Sequence, residues 1–185
     1  MVVRYPPYRF TVDQYDRMID VGILSEHDRV VLIRGRIVPK TEISGSHSQC
    51  VDRLTKLFVW RVADDITVSI QNPIVLADSE PEPDVTLVDA SYRTRRAKPV
   101  ADDVRLLIEV ADSSLAEDLG PGAALYAENG IPEYWVVDLV NARVHVHRGP
   151  QPDGSWASVV EHTPGATLTV VALPSVTVTV EELLA

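Results

Sequence analysis

The segment Glu80-Pro81-Glu82-Pro83-Asp84-Val85-Thr86-Leu87-Val88 joins an acidic, proline-rich stretch directly to an apolar β-strand. Proline fixes its own φ angle and restricts the residue before it to extended conformations. The prolines on both sides of Glu82 therefore hold the backbone extended up to Asp84. We predict that Asp84 stands at the start of a strand and has little conformational freedom.

A second acidic residue, Glu109, lies near the end of another apolar strand, Arg105-Leu106-Leu107-Ile108-Glu109-Val110. A carboxylate in such a strand carries a desolvation cost unless it is paired or binds a cation. If the two strands are antiparallel neighbours, the start of one meets the end of the other. The Asp84 and Glu109 carboxylates would then come within about 5–7 Å of each other.

Two carboxylates at that separation, together with a backbone carbonyl, form an oxygen-rich site suited to Mg²⁺ or Mn²⁺. Such an ion polarises a phosphoryl oxygen and lowers the pKa of an attacking water. Two plainer interpretations remain open from the local sequence. The Glu-Pro-Asp segment could be a turn with a solvated acidic edge, and Glu109 could pair with Arg105 or with an arginine of a neighbouring strand.

The rest of the chain alternates a few helical segments with many short segments rich in β-branched residues. This pattern predicts an α/β fold, of the α+β type with a mixed sheet. No linker or repeat interrupts it, so we expect a single domain over residues 1–185. The predicted helices run from Thr11 toward Gly22, from Ser46 to about Ala63 and from Pro121 to Asn129, and the predicted strands are Val30–Ile33, Arg36–Val38, Thr67–Ile70, Ile74–Leu76, Val85–Val88, Val104–Val110, Glu133–Asp138, Arg143–His147, Ser158–Glu161, Thr167–Val171 and Thr177–Val180.

The composition excludes several classes of protein. The 185 residues include 17 Lys+Arg and 27 Asp+Glu, a net charge of −10, which argues against a protein that coats nucleic acid but not against an enzyme with a local basic groove. A single cysteine, Cys50, excludes an internal disulfide. No apolar run reaches the ~20 residues of a membrane span, and the N-terminal residues Met1–Pro7 lack the pattern of a secretion signal. We therefore expect a cytoplasmic protein with no membrane partner.

Three blocks of the sequence resemble the Uma family of endonucleases, within the PD-(D/E)XK restriction-endonuclease-like superfamily. Further upstream, Leu32–Val38, His47 and Gln71-Asn72-Pro73 fall in the order that this family would show. The resemblance extends from about Thr11 to Val146 and more loosely over the C-terminal strands. The three blocks are Pro81-Glu82-Pro83-Asp84-Val85, then Leu107-Ile108-Glu109-Val110 followed by Asp112-Ser113-Ser114-Leu115, and finally Asp118-Leu119-Gly120 with Leu125-Tyr126-Ala127, running into Gly130-Ile131-Pro132-Glu133-Tyr134-Trp135.

The resemblance implies a restriction-endonuclease-like core with flanking helices and extra C-terminal strands. It also implies an endonuclease that cleaves phosphodiester bonds of nucleic acid, DNA in the first place, with Mg²⁺ or Mn²⁺. Asp84 and Glu109 would be the catalytic, metal-binding carboxylates. Glu82, His47 and Gln71 are candidates for supporting roles, and the resemblance also suggests a homodimer.

The sequence departs from the family pattern at two positions. The family lysine, expected four residues before Tyr126, is Gly122, and Ala111 cannot supply it at the superfamily's ordinary position. An acidic residue expected in the first hairpin is Val31. Loss of one such electrostatic donor typically lowers a rate about 10²–10³-fold. The alternatives are replacement by His47 or Lys56, a catalytically inactive binding or regulatory protein, or a hydrolase of smaller phosphoesters.

Other residues with possible chemistry have plainer interpretations. The basic run 93–98 could follow a phosphate backbone, but a solvated loop is the preferred interpretation. His145 and His147 alternate as a two-histidine metal pair would, but with no third ligand evident we expect surface residues on an outer strand. Cys50 is expected to be buried rather than nucleophilic.

Overall fold

The computed structural model describes residues 6–40 and 42–184. Residues 1–5, which carry most of the stretch considered for a secretion signal, lie outside the described residues. The helices are α1 (Val12–Asp20), α2 (Gly45–Val59), α3 (Leu115–Glu117), α4 (Ala123–Glu128) and α5 (Val180–Leu184), and the strands are β1 (Val30–Ile33), β2 (Arg36–Pro39), β3 (Ile66–Ile70), β4 (Val85–Asp89), β5 (Val104–Ala111), β6 (Glu133–Asp138), β7 (Arg143–Pro150), β8 (Trp156–His162), β9 (Thr167–Val170) and β10 (Leu173–Thr179).

A six-stranded sheet in the order β3-β4-β5-β6-β7-β8 forms the centre of the fold. Its neighbouring strands are antiparallel except for β5 and β6, which are parallel. Two hairpins, β1–β2 and β9–β10, pair outside this sheet. The prediction of an α+β fold with a mixed sheet, flanking helices and extra C-terminal strands is confirmed.

Side-chain alternation along β5 divides the core between the two faces of the sheet. Leu106, Ile108 and Val110 pack with α2, β9–β10 and α5 on one face. Leu107 and Ala111 pack with α4 on the opposite face. Because successive strand residues point to opposite faces, Glu109 shares the face that α4 covers.

The structure corrects the prediction of a strand at Ile74–Leu76. This segment is an extended connection with an isolated backbone bridge from Val75 to Val100. Ile74 and Leu76 are buried all the same. Burial of a connecting segment against the core produced the apolar pattern that we interpreted as a strand.

The helix predicted to begin at Pro121 also differs. Helical backbone begins at Leu115, and Pro121 lies inside a π turn spanning Asp118–Gly122. Proline has no N–H to donate and is poorly tolerated inside an α-helix. The N–H of Ala123 instead bonds to the carbonyl of Asp118, five residues back, so the turn contains one extra residue.

The interpretation of His145 and His147 as surface residues on an outer strand is wrong. β7 lies inside the sheet, with β8 at the edge, and both histidines are buried. The His147 ring packs between those of Tyr134 and Trp156, and burial lowers its pKa.

Within the described residues, no helix is both long and apolar enough to cross a lipid bilayer.

Candidate active site

Asp84 and Glu109 meet at the ends of two antiparallel strands. The register pairs Val85 with Ile108, which places Asp84 opposite Glu109. The Asp84 N–H donates to Glu109 Oε2 at 3.0 Å, and the Val110 N–H donates to Asp84 Oδ2 at 2.9 Å. The expectation that the start of one strand meets the end of the other is thus met.

The two plainer interpretations do not describe these residues. Asp84 is 9% exposed, so it is not part of a solvated edge. Arg105 does not pair with Glu109, because its guanidinium bonds to the carboxylate of Asp89 at 3.0 Å. Among the described residues, Glu109 accepts its hydrogen bonds from uncharged donors, the Asp84 amide and the Tyr126 hydroxyl.

Glu109 is surrounded by protein on most sides and opens onto a cleft. Burial raises its pKa well above the usual value for a glutamate, and the nearby charges of Asp84 and Asp118 raise it further. A bound cation would oppose all of these effects, because it favours the ionised form. The electrostatic environment of Glu109 therefore suits a residue that binds a cation.

His47 reaches the carboxylate of Asp84 from the first turn of α2. Ser44 caps this helix by accepting the His47 N–H at 3.1 Å. The His47 Nε2 lies 2.9 Å from Asp84 Oδ2, and this hydrogen bond is the main reason why the pKa of His47 is raised. Nδ1 of the same ring is buried and makes no hydrogen bond within the described part of the chain.

Gln71 is the second supporting residue that the fold brings to Asp84. Its Nε2 lies 3.3 Å from Asp84 Oδ1, and its backbone has a φ of +49°, which is uncommon outside glycine. Glu82, by contrast, lines the cleft but holds the Lys40 Nζ at 2.5 Å. Lys56, considered as a replacement for the missing lysine, is exposed on α2 and does not line the cleft.

Two residues of the site, Asp118 and Tyr126, were missed as functional residues. Burial, together with the nearby charge of Asp84, raises the pKa of Asp118 to about 6, although the Ser114 Oγ donates to its carboxylate at 2.5 Å. The Tyr126 hydroxyl donates to Glu109 Oε1 at 2.7 Å. Both belong to the sequence blocks that carry the family resemblance, but we gave Asp118 no role, and Tyr126 served only as the residue from which the position of the family lysine was counted.

The cleft in front of these residues has a volume of about 1020 Å³, and most of the charged residues that line it are acidic. Its basic residues are Arg29, Arg34 and Lys40, and Arg34 forms two hydrogen bonds with Glu128, at 2.6 and 3.0 Å. The acidic residues that line it are Glu42, Glu82, Asp84, Glu109, Asp112, Glu117 and Asp118.

The basic run 93–98 lies away from this cleft and contributes to a separate depression. Lys98 bonds to Glu80 at 2.6 Å and to Asp16 at 2.5 Å, and Arg95 pairs with Asp103. At least these two of its charges are engaged within the fold. Cys50 is buried as expected, and burial raises its pKa to about 11, so its thiol is not a nucleophile near neutral pH.

The site offers two carboxylates rather than a complete set of protein ligands. Within residues 6–40 and 42–184, no three His, Cys, Asp or Glu side chains are grouped so as to hold a metal ion. Mg²⁺ commonly keeps several waters and binds through one or two carboxylates plus phosphate oxygens of the substrate. Oxygen donors from Asp84 and Glu109 fit such an ion.

The two positions that depart from the family pattern, Val31 and Gly122, both line the cleft. A Cβ atom added at Gly122 would lie 3.2 Å from the carbonyl oxygen of Glu117, a tight contact. A side chain there would require the π turn to shift by a few tenths of an ångström. The backbone at this position therefore suits glycine.

Comparison with known proteins agrees with the fold. The solved structures that it resembles include one described as "a putative nuclease belonging to DUF820" from Anabaena variabilis, with a TM-score of 0.75, 16% identity, and coverage of 95% of this chain and 97% of that one. No curated protein matches the sequence. The model of the Uma2 family, described as "Putative restriction endonuclease", matches residues 12–181. Since this match spans most of the described residues, the chain belongs to the Uma2 family.

Proposed function

We propose that this protein is a divalent-metal-dependent endonuclease in which Asp84 and Glu109 hold Mg²⁺ or Mn²⁺. The observation that carries the proposal is the pairing of the two carboxylates at adjacent strand ends, where they line one open cleft. The family match and the nuclease-like fold support a nuclease. DNA as the substrate and a homodimer belong to the same proposal by the resemblance in sequence, and a cytoplasmic location belongs to it as the expectation from the composition.

The bound ion would polarise the phosphodiester and lower the pKa of the attacking water. The residues of the chain do the rest. Asp84 and Glu109 would bind the ion and orient it in the cleft, and Gln71 restrains one oxygen of Asp84 through a hydrogen bond. His47 can hold a proton at Nε2, 2.9 Å from Asp84, and it is therefore our candidate for part of the role of the missing lysine.

Gly122 and Val31 favour a second candidate function, a protein of this fold that binds nucleic acid without efficient cleavage. Both positions lie in the cleft and carry no charge. The absence of the lysine would lower the cleavage rate about 10²–10³-fold. The excess of acidic groups in the cleft favours a third candidate function, a hydrolase of small phosphodiesters. These groups would repel a long nucleic-acid polyanion more strongly than a small phosphodiester.

Calorimetric titration of Mn²⁺ into the folded protein tests the proposal without a choice of substrate. We expect the wild type to bind Mn²⁺ and Asp84→Asn and Glu109→Gln to bind it weakly or not at all. Asp52→Asn, a change to an exposed aspartate on α2, is the control and should bind like the wild type. Absence of binding to the folded wild type would contradict the metal site and favour the inactive, binding protein.

Cleavage assays on plasmid DNA, RNA and bis(p-nitrophenyl) phosphate then separate the candidate functions. Mn²⁺-dependent cleavage of DNA that is lost in Glu109→Gln supports the endonuclease. Cleavage of the small diester alone supports the phosphoester hydrolase. Metal binding with no cleavage of any of the three supports the binding protein.

A further inference from the structure

Tyr126 is buried beneath the site and touches one of its two carboxylates. Its side chain lies in α4, is 3% exposed, and donates its hydroxyl hydrogen to Glu109 Oε1 at 2.7 Å. The other oxygen of Glu109 accepts the Asp84 N–H at 3.0 Å. Each oxygen of the Glu109 carboxylate therefore has one fixed donor.

These two donors restrict an otherwise flexible side chain. Glutamate has three rotatable side-chain bonds, and holding its carboxylate in one orientation costs conformational entropy. Both donors are uncharged, so they orient the carboxylate and leave its negative charge available to a cation. Groups that hydrogen-bond a metal ligand from behind commonly raise metal affinity 10–100-fold.

We propose that Tyr126 positions the Glu109 carboxylate for the divalent cation, an inference that rests on the proposed function. The Asp84 donor is a backbone amide, which no side-chain substitution removes. The Tyr126 hydroxyl is therefore the part of this arrangement that mutation can test. Tyr126→Phe removes the donor and keeps the ring that packs in the core.

Tyr134 provides a matched control within the same cluster. Its ring centroid lies 5.0 Å from that of Tyr126, and its side chain is also fully buried. Its hydroxyl donates to the backbone carbonyl of Asp118 at 3.0 Å, not to a carboxylate of the site. Tyr134→Phe thus removes a buried tyrosine hydroxyl and leaves both donors of Glu109 in place.

The first experiment is calorimetric titration of Mn²⁺ into the wild type, Tyr126→Phe and Tyr134→Phe, with unfolding curves in EDTA for each. We expect Mn²⁺ affinity to fall about 10–100-fold in Tyr126→Phe and to stay at the wild-type value in Tyr134→Phe. Both variants should lose stability, and Tyr134→Phe should lose less, because the Asp118 carbonyl keeps the hydrogen bond that the Ala123 N–H donates. In a Glu109→Gln background, Tyr126→Phe should lower the affinity no further.

A second measurement does not depend on the folding of Tyr126→Phe. If the cation binds to Glu109, the Tyr126 hydroxyl changes its environment, and a tyrosine ultraviolet difference spectrum should appear on addition of Mn²⁺. We expect this spectrum in the wild type and in Tyr134→Phe. Absence of the signal in both proteins, when Mn²⁺ binds to both, would contradict the role of Tyr126.

The outcomes distinguish the inference from the function on which it rests. Failure of the folded wild type to bind Mn²⁺ would overturn the proposed function and this inference with it. Normal Mn²⁺ binding with equal affinities in the wild type and Tyr126→Phe would overturn this inference alone. Equal losses of affinity in both phenylalanine variants would also overturn it, because that result indicates a general effect on packing.

Discussion

The Asp118 carboxylate is mostly buried beside Asp84 and Glu109, and replacing it with asparagine is expected to stabilise the metal-free protein at neutral pH. Asparagine has nearly the same shape and can still accept the hydrogen bond that the Ser114 Oγ donates to Asp118. What the substitution removes is a negative charge that burial and the Asp84 charge both disfavour.

The size of the effect follows from the pKa of Asp118, which is about 6 in the folded protein against an ordinary value of 3.8. Each pKa unit corresponds to 1.36 kcal/mol, so ionised Asp118 costs the folded state about 3 kcal/mol above pH 6. The folded state holds its proton more tightly than the unfolded state does. The contribution of Asp118 to stability is therefore fully present below about pH 4 and is lost as the pH rises through about 6.

Urea unfolding in EDTA at pH 4 and pH 7.5 measures this effect. We expect Asp118→Asn to be up to about 3 kcal/mol more stable than the wild type at pH 7.5 and nearly equal to it at pH 4. For a chain of this size the midpoint of thermal unfolding should rise by about 2–4 °C per kcal/mol. An equal gain at both pH values, or no gain at pH 7.5, would refute the reasoning.

Asp112 is the control, because its pKa is shifted in the opposite direction. It accepts hydrogen bonds from Ser44 and Ser46 at 2.5 and 2.6 Å, which lower its pKa. Asp112→Asn should therefore reduce stability at neutral pH and have little effect in acid. Opposite signs for Asp112→Asn and Asp118→Asn at pH 7.5 would exclude a general effect of lowering the net negative charge.

Three further predictions concern other parts of the site and its surroundings. Gly122→Lys should raise Mn²⁺-dependent DNA cleavage about 10²–10³-fold, which cleavage kinetics measure, and unchanged cleavage would mean that another residue already fills the role of the lysine. The same substitution should lower stability by about 1–3 kcal/mol in urea unfolding, because its Cβ would lie 3.2 Å from the Glu117 carbonyl oxygen. His47→Gln should be less stable than the wild type at pH 6, and this margin should shrink as the pH rises, because the raised pKa of His47 gives stability that is lost as its proton leaves. A pH series of unfolding curves measures the margin, and a margin that grows with pH would contradict the prediction. Cys50 should react with a thiol reagent at pH 8 only after unfolding, because it is buried and its pKa is about 11; rapid modification of the native protein would count against the burial.

The pairing of Asp84 with Glu109 was predictable on one assumption, because local sequence places each residue within its strand and only the antiparallel pairing of the two strands had to be assumed. The prolines beside Glu82 hold the chain extended up to Asp84, and Glu109 lies at the far end of its strand. Antiparallel pairing of the two strands then brings the carboxylates together, whatever the rest of the fold does. Asp84 and Glu109 depend on one pairing alone.

The contacts of Tyr126 and Asp118 were not predictable in the same way. They depend on where α4 crosses the sheet and on an extra residue in the turn before it, and neither follows from local apolar periodicity. The burial of His145 and His147 was missed for a related reason. Whether a strand lies inside a sheet or at its edge depends on strand order, and consecutive residues carry no record of that order.

The π turn at Asp118–Gly122 makes the site sensitive to the deletion or insertion of a single residue. Each residue of an α-helix turns the chain by about 100° about the helix axis. Deletion of the exposed Gly120 would remove the extra residue and rotate either the Asp118 side or the Tyr126 side of the segment by that angle relative to the other. Both side chains could not then keep their present directions toward the sheet. Loss or gain of a single codon in this turn would thus disrupt the site more than most amino-acid replacements. When relatives are compared, the number of residues in the turn should therefore be considered together with the residues of the site.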